Sequence, residues 1–107
     1  MTDRDDLVSD AFQRFLRDTT KQAEAWMSAV RALSEASALD AKTQALAYIA
    51  VLAALRLESG VPYHVVHAKE LGATREEVLS AVLVGLPAAG HAVTQALPAA
   101  IGAYDRS

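Results

Sequence analysis

Apolar residues recur along this chain at spacings of three and four, and no run alternates apolar with polar as a half-buried strand does. The spacing predicts a first helix over about Asp5 to Asp18, with Leu7, Phe12, Phe15 and Leu16 as its apolar side. A second, about Thr20 to Ala36, carries Trp26, Met27, Val30 and Leu33 at helical intervals. "SALD" reads as a joint, with Asp40 placed to cap a third helix over about Ala41 to Glu58. That helix is apolar nearly all round and is therefore expected at the centre, with Gly60 as its stop.

Pro62 suits the first turn of a fourth helix, where a missing N–H costs nothing, and Gly72 suits the left-handed residue that ends it. Thr74 and Glu77 have the spacing of a capping box opening a fifth. Pro87 is expected to kink or break this helix near "GLPAAGH", and Pro98 to mark a further irregularity before a short tail. These elements make one all-α domain over residues 1–107, with about five to six helices and no linker or repeat.

Composition narrows the function. With 107 residues, 52% hydrophobic and 21% charged, the chain is long enough and apolar enough to fold. It contains no cysteine, which excludes disulfides, thiolate metal ligands and thiol catalysis. "MTDRDDLVSD" is polar and acidic, unlike a signal peptide, so a cytoplasmic protein is expected. A net charge of −3 with scattered Lys and Arg speaks against a nucleic-acid partner. No charge falls between Val78 and Tyr104, but Pro87, His91, Thr94, Gln95 and Pro98 interrupt that run, so it is not expected to span a membrane. Burial on several sides, partly by another subunit, is the expectation: a homo-oligomer.

The chemistry-bearing candidates are histidines. On a wheel of about 100° per residue, His64 shares a face with Val61, Val65, Ala68 and Leu71, while His67 falls on its border near Tyr63 and Glu70. His64 therefore points at the core or a cavity, as a packed histidine or as a general acid/base, and His67 is expected to be partly wet. His64, His67 and His91 could converge on a metal, but no further ligand motif accompanies them, and no metal or cofactor is expected. "AKELGATREEV" also has the outline of a helix-turn-helix, but the helix after it reads "VLSAVLVGLPAAG" and offers a DNA groove almost nothing.

Spacing across several segments carries more than the histidines alone. "LDAKTQALAYIAVLAALRLESGVPYHVVHAKELGATREEV" resembles the carboxymuconolactone decarboxylase and AhpD-like alkylhydroperoxidase family. In that family an "LDxKTxEL" helix start precedes a CxxCxxxH motif and an "AL..GAT..E" junction. Leu39, Asp40, Lys42, Thr43 and Leu46 match the first; Gly72, Ala73, Thr74 and Glu77 match the last. His64 falls at the family histidine, and Gly90 near a glycine-rich turn. The resemblance covers about Ala36 to Ala96. It implies an AhpD-like helical domain with N-terminal helices in 1–36, a family core in 37–105, and a trimer or hexamer.

The resemblance also implies what is missing. Leu57 and Gly60 stand where the redox branch has its cysteines, and Ala45 where it has a relay glutamate. Thiol peroxidase chemistry is not expected from a leucine and a glycine. The branch resembling γ-carboxymuconolactone decarboxylase lacks these cysteines, and there His64, with Tyr63 beside it, is the candidate proton-transfer group. Its pocket is expected to be lined by Leu57, Gly60, Val61, Gly90 and His91. An anionic substrate wants a cation, for which the nearby sequence supplies Lys42, Arg56 and Lys69. The competing expectation is a small-molecule-binding or assembly module without catalysis.

Overall fold

The computed structural model describes residues 4–107, so the first three residues of the polar N-terminal stretch lie outside it. Among the described residues every regular element is helical. A 3-10 turn at Arg4–Leu7 leads into α1 (Asp10–Asp18) and α2 (Thr20–Ala36). Then come α3 (Ala41–Ala54), a 3-10 turn at Glu58–Gly60, α4 (Val61–Glu70) and α5 (Arg75–Leu83). The short α6 (Leu86–Ala89), a 3-10 stretch at Gly90–Ala96 and α7 (Leu97–Arg106) complete the chain.

Local chemistry sets these boundaries. The expected first helix is split, because the Ser9 side chain accepts from Phe12 N–H and starts α1 at Asp10. Asp40 caps α3 by accepting from Thr43 N–H at 2.8 Å, which holds its carboxyl below the usual range. Thr74 and Glu77 form the full capping box at 3.0 and 2.9 Å.

The third helix stops earlier than its composition suggests, and Gly60 is not the stop. Leu57 N–H reaches back to Leu52 C=O, and Arg56 N–H to Ala53 C=O, the paired bonds of a Schellman ending. This places Arg56 at φ 60°, a left-handed conformation that favours glycine. The end of α4 repeats the motif with the expected residue. Ala73 N–H bonds Ala68 C=O, Gly72 N–H bonds Lys69 C=O, and Gly72 takes φ 96°.

The uncharged run behaves as punctuation rather than as a span. Gly85 and Gly90 bracket α6, with Pro87 in its first turn. Pro98 likewise sits in the first turn of α7, so a ten-residue helix stands where a short tail is expected. Residues 75–106 have the hydropathy of a membrane span, but no single α-helix within them exceeds ten residues, about 15 Å against a ~30 Å hydrocarbon core.

The core lies between α3, α4, α5 and α7, with α4 packed most extensively on α7 and α3. Ile49, Val61, Val65, Val78, Val82 and Val93 are fully buried, and alanines such as Ala53, Ala68 and Ala100 let the helices approach closely. Polar contacts fasten α7 to the α4–α5 corner. Tyr104 Oη donates to Ala73 C=O at 2.9 Å, and Lys69 Nζ donates to the carbonyls of Tyr104 and Ser107. Arg75 meets Asp105 through two nitrogens, at 2.9 and 3.2 Å.

The N-terminal helices differ. None of the residues of α1 is buried, and of α2 only Ala23 is. Of the apolar positions read from the sequence there, Leu7 packs against the core, while those of α1 and α2 do not join it, since α2 packs substantially on α1 alone.

Candidate functional site

Residue by residue, α4 presents one face to the core and its rim to α3. Val61, Val65, Val66 and Ala68 are buried, which turns His64 to the edge of the core, half-buried, and leaves His67 exposed. Across that edge stands Tyr48 of α3. Its ring lies 4.4 Å from the His64 ring, with planes 41° apart. Tyr63 meets His64 edge-on at 5.2 Å and stacks on His67 at 6.5 Å. Two tyrosine rings therefore contact one imidazole, in the tilted and edge-on geometries aromatic rings prefer.

Electrostatics keep this imidazole neutral. Burial is the first cause and the charge of His67 the second; together they push the His64 pKa from 6.5 down to about 4. No carboxylate compensates. Among the described residues neither ring nitrogen of His64 bonds a protein group, and no buried side-chain N or O lacks a partner, so these nitrogens remain open to water. His64 is neither sealed into the core nor satisfied by backbone carbonyls.

The cations expected near it are engaged elsewhere. Lys42 pairs with Glu77 at 3.1 Å, Arg56 with Glu58 at 2.8 Å, and Lys69 caps the chain's end beside the Tyr104 ring. The residues expected to line a pocket divide. Leu57 and Gly60 lie on the turn leading into α4, next to the cluster in sequence; Val61 is fully buried in the core. Gly90 and His91 begin the 3-10 stretch that packs against α6, α3, α5 and α7, and the His91 ring is not among those that meet at His64. His91 C=O accepts instead from Thr94 Oγ1 at 2.7 Å. No group of three or more His, Cys, Asp or Glu side chains converges among the described residues.

Tyr48 is the member that sequence reasoning missed. It lies sixteen positions before His64, on a helix read as apolar nearly all round, and its one signal is being the only aromatic in that helix. The helix-turn-helix outline also resolves: Val78, Ala81 and Val82 of α5 are core residues, and its first turn is acidic.

The family model for the carboxymuconolactone decarboxylase family matches residues 20–101. The chain belongs to this family. No curated protein and no solved structure matches it. The match takes in α2 through the first half of α7, so the family region includes the exposed α2 as well as the His64 cluster. This member of the family carries Leu57 and Gly60 ahead of its histidine, and no cysteine anywhere.

Proposed function

We propose that this carboxymuconolactone decarboxylase family protein has no thiol peroxidase chemistry and uses the Tyr48–Tyr63–His64 cluster to bind a small molecule with a planar, uncharged body. The observation that carries the reading is a half-buried imidazole in contact with two tyrosine rings, with unbonded nitrogens and a pKa pushed down to about 4. At neutral pH such a group offers one donor and one acceptor flanked by π-faces, and no charge. A carboxylate would gain nothing from it, because Lys42, Arg56 and Lys69 already have partners. The test is titration with phenol and with a carboxymuconolactone-type acid, followed by the NMR signals of His64 and Tyr48. Saturable shifts with phenol that His64→Ala abolishes support the reading; shifts with the acid alone would replace it.

A second reading is favoured by the same unbonded nitrogens: a neutral imidazole open to water can accept a proton, as acid/base decarboxylation of a lactone acid requires. Its test is turnover of that acid by the wild type and by His64→Ala. Equal rates in both would remove His64 from any catalytic role.

A further inference from the structure

Three contacts fix how α3 and α4 lie beside each other. Leu57 N–H bonds Leu52 C=O at 2.9 Å, a Cβ on Gly60 would meet the Leu52 side chain at 3.5 Å, and the Tyr48 ring meets that of His64. Residue 52 is thus level with 60 and residue 48 with 64, and the two helices run antiparallel. His64 stands part-way along the edge they share, and the two ends of that edge differ.

One end is polar. Gln44, four residues before Tyr48, and His67, three after His64, fall on the same side of their helices as the cluster. The other end is apolar. Leu55 N–H still bonds Val51 C=O, so Leu55 stays on the course of α3, seven residues and about 10 Å beyond Tyr48 on nearly the same line. Leu57 follows on the turn into α4. Leu55 is 63% exposed and Leu57 48%. The one cation of this end, Arg56, is engaged by Glu58 at 2.8 Å, so no free charge faces a ligand there.

We infer that the ligand of the His64 cluster is a phenol bearing an aliphatic chain, with its ring and hydroxyl at Tyr48, Tyr63 and His64 and its chain laid toward Leu55 and Leu57, which set the preference for chain length.

This rests on the reading proposed above and adds the part of the molecule beyond the ring. The neutral imidazole accepts from the phenol hydroxyl, and the tyrosine rings take the face of the aromatic body. The substituent then has two directions to run. Toward Gln44 and His67 it would cover polar groups that water serves better. Toward Leu55 and Leu57 it removes apolar surface from water on both partners. No aromatic ring stands in α3 or the turn beyond Tyr48, so nothing there favours a second flat ring over a flexible chain. A fully buried methylene strengthens binding about fourfold, and one laid against this open edge, half wet, about twofold.

The test is a titration with 4-ethylphenol, 4-butylphenol and 4-hexylphenol, beside phenol itself, read at the NMR signals of His64. The proteins are the wild type, Leu57→Ser, Leu55→Ser, and Leu33→Ser on α2 as a control for adsorption to exposed leucine, with circular dichroism to verify folding. In the wild type 4-hexylphenol should bind about tenfold or more tighter than 4-ethylphenol. Leu57→Ser and Leu55→Ser should each lose much of that ratio, and Leu33→Ser should keep it. A wild-type ratio near one, a ratio that both turn variants keep, or one that Leu33→Ser loses would overturn the inference. Phenol separates this failure from that of the proposed function. Phenol binding at His64 with no gain from the chain removes the chain's site alone, whereas no shift with phenol or any alkylphenol removes the proposed function with it.

Discussion

Tyr48 of α3 and His64 of α4 meet ring to ring at 4.4 Å, and this contact unites two helices at the one imidazole that burial keeps neutral. The tyrosine shields the histidine from water on one side, and no acid stabilises its protonated form. Replacing Tyr48 with alanine therefore lets water in and raises the His64 pKa toward 6.5. Replacing it with phenylalanine keeps the ring and leaves the pKa low. Imidazole chemical shifts against pH distinguish the two variants.

The same shift makes stability depend on pH. The unfolded chain takes up a proton at His64 near pH 6.5, whereas the folded chain resists until about 4. Between those values the unfolded state binds more protons, so stability falls as pH is lowered through this window and levels off below it. Because the ring is partly in water, the loss is about 1–2 kcal/mol rather than the full value of the shift. His64→Gln should flatten urea-denaturation free energies between pH 6.5 and 5, above the range where the lowered carboxyls of Asp40, Glu58, Glu77 and Asp105 lose their contribution.

Arg56 and Gly72 occupy the same left-handed position after α3 and α4, at φ 60° and 96°. Gly72→Ala should destabilise the fold by about 1 kcal/mol, since an L side chain is strained there. Arg56→Gly should be neutral or stabilising by up to about 1 kcal/mol, because it relieves that strain and gives up only an exposed ion pair with Glu58. Chemical denaturation of the two variants measures the contrast.

How much of this the sequence reveals depends on how local the cause is. The boundaries of α2, the capping box at Thr74 and Glu77, and the glycine ending α4 depend on residues three to five apart, and all are legible. The end of α3 is not, because an arginine takes the place of the glycine that normally marks it. The family was readable from the spacing of Asp40, His64 and Gly72. The meeting of Tyr48 with His64 was not, since it depends on how two helices cross rather than on any spacing within one. The exposure of α2 escaped for the same reason: an amphipathic pattern says that a face is covered, not by what.

Loss of Thr74 should cost more than a surface hydroxyl usually does. Its side chain caps α5 and fixes Glu77, which in turn holds Lys42 of α3. Thr74→Ala is expected to destabilise by about 1 kcal/mol, read as a lowered melting temperature, while Ser at this position preserves the cap.

A chain without cysteine has no thiolate to attack a peroxide and no second thiol to resolve the product. Hydroperoxide reduction with dithiol donors should stay at background. Activity that survives repurification would require different chemistry.

The charge state of His64 in the intact wild-type protein decides whether its cluster can take an uncharged ligand. Its ring signals, assigned by comparison with His64→Ala and followed by NMR from pH 8 to the acid limit of folding, should stay those of neutral imidazole through pH 6 and titrate with a midpoint near 4. A midpoint at or above 6.5 would overturn the uncharged-ligand reading, because the cluster would then carry charge near neutral pH and be open to anions.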